Sequence, residues 1–122
     1  MLDLIIKNGQ CYINGELKNV DVAIKDGKIQ EIGQILDEAK ETLNVKGLTV
    51  LPGCIDTQTH FREPGSTDTE DLHSGSRAAI VGGITSVFEM PNTNPPTSTK
   101  TEFQRKLDLA KNRMYCNYAF YF

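Results

Sequence analysis

Residues 51–63 read LPGCIDTQTHFRE, an apolar start followed by regularly spaced polar side chains. The apolar residues around the turn pair Pro52-Gly53 predict a buried strand. Polar residues then follow at every second position, namely Asp56, Gln58, His60 and Arg62. A strand directs alternate side chains to opposite faces, so this spacing predicts that all four share one face. Such groups are costly to bury at a strand end unless they bind something, which indicates the rim of a site.

The composition is that of a soluble globular protein of about one domain, with 122 residues, 39% hydrophobic and 24% charged, and a net charge of -3. The lysines are scattered among acids, which argues against nucleic acid or an anionic membrane as a partner. No apolar run approaches the ~20 residues of a membrane span, and the N-terminus lacks the long apolar segment of a signal peptide. These features favour the cytoplasm.

The three cysteines, Cys11, Cys54 and Cys116, are far apart in the sequence and form no CxxC or Cys/His pattern. This spacing predicts reduced thiols in the core. A catalytic or redox thiol is the alternative interpretation.

Residues 1–53 predict a small β-layer. The pairs Asn14-Gly15 and Asp26-Gly27 predict two tight hairpins, because these residue types tolerate positive φ. Residues 33–42 are charged and poorly periodic, and they predict a loop or a short helix. We expect this part to be a scaffold rather than a site.

Residues 54–122 predict alternating strands and helices. Thr67 with Glu70 forms a capping-box pattern that opens a helix running to about Val81, and Thr99 with Glu102 forms a second. Further strands are predicted over residues 84–90 and 115–122.

Strand, helix, strand, helix, strand at these spacings predicts parallel βαβ units with right-handed crossovers. Functional loops then lie at the carboxyl ends of the strands, where the polar residues after Ile55 and the loop PNTNPP, residues 91–96, both fall. An open sheet of three strands ending in YCNYAFYF would leave a large apolar edge. We therefore expect the chain to be a piece of a longer protein that folds poorly by itself.

Two motifs, LPGCIDTQTHFREPG at 51–65 and GGITSVFEMPNTNPP at 82–96, resemble the start of a cyclic amidohydrolase. Within that superfamily they most resemble dihydroorotase, because HFREPG together with MPNTNPP is more typical of dihydroorotases than of the related allantoinases and hydantoinases. The resemblance implies an α/β fold. Residues 54–122 would form the first three strands of a (β/α)8 TIM-type barrel, and residues 1–53 a small β-sandwich part before it, the whole being an incomplete fragment.

The resemblance implies a zinc-dependent hydrolase that interconverts carbamoyl aspartate and dihydroorotate in pyrimidine biosynthesis, with one or two zinc ions in the longer protein. It also implies that the remaining histidines, a carboxylated lysine and a catalytic aspartate lie outside this chain. The 122-residue chain alone is therefore predicted to be inactive and to hold no catalytic residue.

By the same resemblance, His60 corresponds to the second histidine of the family's HxH zinc pair, with a histidine satisfied by a hydrogen bond as the alternative. Arg62 corresponds to the arginine that grips the substrate carboxylate, a role that its planar fork suits. Its alternative is an ion pair with Glu63 or Asp71. Asn92 corresponds to a second contact for that carboxylate, with a turn-forming residue as the alternative.

Gln58 departs from the family pattern, because it stands where the first histidine of HxH is expected. An amide oxygen is a much weaker zinc ligand than imidazole, so one metal subsite should be weakened or missing. Two interpretations follow: a dihydroorotase with a changed or single metal, or a noncatalytic relative that serves as a structural partner of aspartate transcarbamoylase. An allantoinase or hydantoinase type is a third. The oligomeric state is left open, a homo-oligomer included.

Five further polar residues are not assigned to the site. Asp56 could orient a metal ligand or simply cap nearby backbone. The acids Asp68, Glu70 and Asp71 are explained by the dipole of the predicted helix, and His73 is expected on its exposed side.

Overall fold

A computed structural model describes the whole chain, Met1–Phe122. It contains two compact units, Met1–Pro52 and Gly53–Phe122, which are described separately. The predicted division, between residues 53 and 54, differs from this by one residue.

The first unit consists of two small sheets. One has four strands in the order β5-β4-β1-β6, and the other has three in the order β3-β2-β7. Its buried apolar cluster consists of Leu2, Ile5, Ala23 and Ile35. The strands are β1 (Leu2–Lys7), β2 (Gln10–Ile13), β3 (Glu16–Asn19), β4 (Asp21–Lys25), β5 (Lys28–Gly33), β6 (Ala39–Asn44) and β7 (Thr49–Val50).

Both predicted hairpins of this unit are confirmed. Asn14-Gly15 joins β2 to β3, and Asp26-Gly27 joins β4 to β5, with positive φ at all four residues. The prediction of a loop or short helix at 33–42 is wrong at its end, because Ala39–Asn44 forms strand β6. This strand is mostly exposed and pairs in parallel with β1, so its backbone pairing, not an apolar pattern, defines it.

The second unit is an open three-stranded sheet with two helices. Its strands β8 (Cys54–Thr59), β9 (Ile84–Glu89) and β10 (Asn117–Phe120) run parallel in the order β10-β9-β8. Helices α1 (Leu72–Val81) and α2 (Lys100–Ala110) connect them. This is the predicted βαβαβ pattern, and the sheet does not close into a barrel. The core of the unit consists of Phe61, Leu72, Ala79, Val87, Ala110, Cys116 and Phe120.

Helix α1 begins four residues later than predicted, with its N-cap at residue 71 and not at residue 67. Its N-cap is Asp71, whose carboxylate accepts a hydrogen bond from the Ser74 backbone N–H at 2.6 Å, while the Ser74 hydroxyl lies 3.1 Å from the Asp71 backbone N–H. The predicted capping box at Thr67 is therefore wrong, because the reciprocal box forms at Asp71. At α2 the prediction of Thr99 as N-cap is confirmed, since its side chain accepts a hydrogen bond from the Glu102 N–H.

The three cysteines are free, and two of them behave as predicted. Cys11 and Cys116 are buried, and burial raises the pKa of both thiols. Cys54 is exposed, so its prediction as a core residue is wrong. It begins β8, an edge strand of the open sheet, where one side lacks a neighbouring strand.

Neither helix has the length and apolar character required to span a membrane.

Candidate functional site

His60 and Asn92 meet at the carboxyl ends of two neighbouring strands. Strand β8 ends at Thr59, and β9 ends at Glu89, one residue before Met90. The carbonyl of Thr59 accepts a hydrogen bond from the Met90 N–H at 2.9 Å. The residues that follow both strands are thereby brought together. The His60 Nδ1 lies 2.9 Å from the Asn92 Oδ1, although the two residues are far apart in sequence. This proximity, which the parallel topology predicts, is confirmed.

The two loops that carry these residues are tied to each other. The Asn94 N–H donates to the Pro64 carbonyl at 3.0 Å. Gly65 has φ +122, and a Cβ added there would lie 2.7 Å from the Asn94 Cβ. Glycine is required at this point because a side chain would be strained and would separate the loops. Within the second loop, the Thr97 N–H donates to the Pro91 carbonyl at 2.9 Å.

A buried carboxylate, Glu63, fixes the first loop to both helices of the unit. It accepts a hydrogen bond from the Leu72 N–H of α1 at 2.9 Å. The Arg113 guanidinium, which follows α2, binds the same carboxylate through two nitrogens at 2.8 and 3.0 Å. This carboxylate raises the pKa of Arg113, although burial opposes the effect. From the sequence, Glu63 was considered only as an ion-pair partner of Arg62, and Arg113 was not considered.

Arg62 does not form the ion pair that was its structural alternative. Both carboxylates considered for it, Glu63 and Asp71, pair with Arg113 instead, Asp71 at the longer distance of 3.7 Å. Arg62 itself is exposed and has a φ of +61, in the left-handed region. A bulky residue is uncommon there, so the surrounding loop determines this conformation. Its side chain is left available on the surface near the carboxyl edge of the sheet.

Asp56, Gln58, His60 and Arg62 do not share one face of a single strand, so that prediction is wrong. The strand ends at Thr59, and its register with β9 is irregular between Asp56 and Thr59, where three steps on β8 match two on β9. Such a bulge interrupts strict alternation. Arg62, with its positive φ, lies beyond it in a turn. The contact between His60 and Asn92 therefore depends on adjacent strand ends, not on a period of two.

Asp56 has a local structural role, which was one of its two interpretations. Its Oδ1 accepts a hydrogen bond from the backbone N–H of Gln58 at 2.9 Å. This bond satisfies a backbone donor within the irregular part of β8. Gln58 is exposed. Asp71 caps α1, and hydrogen bonds from the Ser74 backbone and hydroxyl lower the pKa of its carboxyl.

His73, the second histidine, lies on the exposed side of α1 as predicted. Its ring packs against Tyr115, with 5.0 Å between the ring centroids. It takes no part in the contact between His60 and Asn92.

A fully buried ion pair, which was not predicted from the sequence, lies at the end of β9. Lys106 of α2 and Glu89 of β9 are both inaccessible to solvent and form a close ion pair. The Lys106 Nζ donates to the Met90 carbonyl at 3.0 Å and lies 5.0 Å from the centre of the Phe120 ring. Burial raises the pKa of the Glu89 carboxyl, and Lys106 opposes that shift.

Two sequence signals point to this pair. Lys106 falls on the apolar stripe of α2, three residues after Phe103 and four before Ala110, and Glu89 falls within the apolar strand ITSVFE. Because Lys106 binds the carbonyl of Met90, the pair also fixes the start of the loop that carries Asn92.

These residues do not by themselves fit a zinc site. The edge supplies one imidazole, that of His60, and the neutral amide of Gln58, while the Asp56 carboxylate is engaged by backbone. No group of three or more His, Cys, Asp or Glu side chains in Met1–Phe122 is arranged to hold a metal ion. Zinc is usually held by four ligands, so this chain alone does not complete a site.

The comparisons with known proteins define the class. Residues 49–122 match the amidohydrolase family. The chain therefore belongs to the amidohydrolase family, in agreement with its parallel sheet and with the polar residues at the carboxyl edge.

Among individual proteins, the chain is 46% identical over 113 residues to allantoinase of Escherichia coli O1:K1 / APEC, covering 92% of this chain and 25% of that protein. It is 33% identical to the solved structure of L-hydantoinase (dihydropyrimidinase) from Arthrobacter aurescens, with a TM-score of 0.90, over 99% of this chain and 28% of that one.

N-acyl-D-glutamate deacylase from Bordetella bronchiseptica, solved with zinc and a phosphonate inhibitor, is 25% identical with a TM-score of 0.59. It matches 72% of this chain and 18% of that one.

The chain spans about a quarter of the length of the allantoinase and hydantoinase relatives. These two are not dihydroorotases, so the finer resemblance drawn from HFREPG and MPNTNPP is not confirmed.

Proposed function

We propose that this chain contributes the first part of a metal-dependent hydrolase that opens a cyclic amide, with a hydantoin or allantoin ring as the substrate class. Membership in the amidohydrolase family and the similarity to an allantoinase and a hydantoinase support this proposal. The observation that carries it is the contact between the His60 Nδ1 and the Asn92 Oδ1 at 2.9 Å. This contact joins an imidazole and an amide at the edge where ligands bind in parallel sheets.

In this proposal the residues of the chain bind and orient the substrate. Asn92 presents an amide and Arg62 a guanidinium toward oxygen atoms of the ring, and His60 presents an imidazole. The remaining groups that the reaction requires, including those that complete a zinc site, belong to a longer protein. Zinc itself and a cytoplasmic location remain predictions.

The test is a substrate panel with the full-length protein that contains this chain. We expect hydantoin or allantoin to be opened and dihydroorotate to be opened more slowly. Chromatography of the open-chain products measures the three rates. Failure to open either hydantoin or allantoin, in protein supplied with zinc, would contradict the proposal, and opening of dihydroorotate alone would favour the second candidate. The 122-residue chain alone should show no turnover above a control without protein.

A second candidate, hydrolysis of dihydroorotate, is favoured by the state of Arg62. The acidic neighbours that could neutralise it, Glu63 and Asp71, are bound by Arg113. An exposed guanidinium left in this way suits a substrate that carries a carboxylate, because the two groups bind bidentately. Dihydroorotate has such a carboxylate, whereas hydantoin and allantoin do not.

Arg62→Met separates these two candidates. If the substrate carries a carboxylate, the KM of the full-length protein should rise about 10- to 100-fold, since a hydrogen bond to a charged group contributes about 1.5–3 kcal/mol. If the substrate is an uncharged ring, the KM should change little. Arg77→Met is a matched control on the exposed side of α1. Steady-state kinetics on dihydroorotate and hydantoin, measured side by side, distinguishes the outcomes.

A third candidate, a noncatalytic role, is motivated by Gln58, which stands where the resemblance places the first histidine of HxH. In that case the full-length protein would open none of the rings. The structural-partner hypothesis further expects it to co-purify with an aspartate transcarbamoylase. Turnover of any ring substrate, abolished by removal of metal, would rule this role out.

A further inference from the structure

The contact between His60 and Asn92 has a direction, because the atom of Asn92 that faces the ring is its carbonyl oxygen. The Asn92 Oδ1 lies 2.9 Å from the His60 Nδ1. An amide oxygen can only accept a hydrogen bond. The Nδ1 must therefore carry the proton, and in the neutral ring the lone pair is on Nε2.

We propose that Asn92 is a positioning residue that holds His60 as the Nδ1–H tautomer, so that Nε2 is the atom offered to the reaction. The role of Nε2 in the reaction rests on the proposed function, whereas the tautomer of His60 rests on the geometry alone. Residues that bind the far nitrogen of a functional imidazole fix its tautomer and its orientation. Asn92 performs this task from the neighbouring strand end.

The same geometry leaves the Asn92 Nδ2 available for a second contact. Its Oδ1 is used by His60, and its Nδ2 retains two N–H donors for another partner. A substrate group next to Asn92 must then be a hydrogen-bond acceptor, such as a ring carbonyl or a carboxylate. Asn92 would connect that acceptor to the imidazole, and this explains why an amide suits the position better than a carboxylate, which has no donor.

The structure around Asn92 holds its loop in place. Lys106 binds the carbonyl of Met90, and the Asn94 N–H binds the carbonyl of Pro64. Both bonds use backbone atoms close to Asn92, and neither involves its side chain. Replacing that side chain therefore removes the bond to His60 without removing either restraint.

The test measures the tautomer of His60 directly, by the ¹⁵N chemical shifts of the histidine rings in the metal-free full-length protein at about pH 9, where an ordinary imidazole is neutral. Residues 1–122 contain only two histidines, so His73 is an internal reference once variants lacking each ring have assigned the signals. It lies on the exposed side of α1 and should exchange between tautomers. His60 should favour the Nδ1–H form about tenfold, as expected for one net hydrogen bond.

Three variants complete the design. Asn92→Leu keeps the size and removes the acceptor, so the preference of His60 should fall to that of His73. Asn92→Asp keeps an acceptor and should retain the preference. Asn94→Ala changes the same residue type in the same loop and should leave His60 unchanged. Backbone amide spectra of each variant establish that the unit is folded, and Asn92→Asp maintains the test if Asn92→Leu does not fold.

The inference is overturned if His60 of the native chain carries its proton on Nε2, or if Asn92→Leu leaves the Nδ1–H preference intact. Neither measurement requires turnover. A protein that opens no ring but shows the predicted tautomer would contradict the proposed function alone. A protein that opens a ring but shows an averaged tautomer would contradict the positioning role alone.

Discussion

In Met1–Pro52 the ion pair between Lys40 and Asp3 lies at the surface, whereas in Gly53–Phe122 the pair between Lys106 and Glu89 is completely buried. The buried cluster of the first unit is purely aliphatic. The second unit buries charged groups that contact backbone leading into the loops with His60 and Asn92. Burying charge is costly, so this contrast indicates that the second unit gives up stability to fix a site.

The largest expected effect comes from breaking the buried pair. Lys106→Met leaves the Glu89 carboxylate buried without a cation, and should lower the free energy of unfolding of the second unit by about 3–5 kcal/mol. Lys40→Met in the first unit is the matched control, and its loss should be far smaller because that pair is exposed. Amide hydrogen exchange at Val87 and Ile5 reports the two units separately. Equal losses of unfolding free energy in the two variants would contradict the contrast between the buried pair and the exposed pair.

The penalty in Lys106→Met should also depend on pH. Burial raises the pKa of Glu89 above its ordinary value of 4.5, so the folded chain holds this proton at a pH where the unfolded chain has released it. Stability should therefore increase as the pH falls toward 4.5. Lys106→Met combined with Glu89→Gln should remove most of both the penalty and this pH dependence.

The next effect concerns the link between the first loop and the helices. Arg113→Met removes both hydrogen bonds to the buried Glu63 carboxylate, and should cost about 1.5–2 kcal/mol after allowance for the partial exposure of Arg113. Arg105→Met is the control, since Arg105 is exposed and its contact with Glu102 is long, at 3.5 Å. Urea unfolding compares them. A loss in Arg113→Met no greater than in Arg105→Met would show that the link is unimportant.

The smallest effect concerns the cap of α1. Asp71→Ala should cost about 1 kcal/mol, the usual value of an N-cap, and Asp68→Ala, in the turn before the helix, should cost less. The pKa of Asp71 is lowered from 3.8, so its contribution is present above that pH and is lost as the pH falls through the folded-state pKa. The difference in free energy of unfolding between the native chain and Asp71→Ala should disappear in acid. A difference that persists there would argue against the cap.

Local sequence signals predicted the elements of the second unit better than their ends. The parallel strands and the meeting of His60 with Asn92 followed from the βαβ pattern and from the rule that loops gather at carboxyl edges. The start of α1 did not, because Glu63 and Arg113, which help to fix the Asp71 region, are brought there only by the tertiary fold. Thr67 had an equally good local pattern.

Strand β6 and the course of the chain after Thr59 escaped prediction for a related reason. The segment Ala39–Asn44 has no apolar alternation, and its pairing with β1 is a backbone contact across a long sequence separation. The irregular register of β8 and the positive φ of Arg62 are likewise set by the neighbouring strand and loop. A pattern of two along the sequence cannot reveal either feature.

The most direct test of the account compares the two histidines in the full-length protein. His60→Ala should reduce kcat/KM for the ring substrate by at least about a hundredfold, the lower end for a functional imidazole, while His73→Ala should leave it within about twofold. Comparable kcat/KM values for the two variants would contradict the claim that the edge bearing His60 and Asn92 faces the substrate.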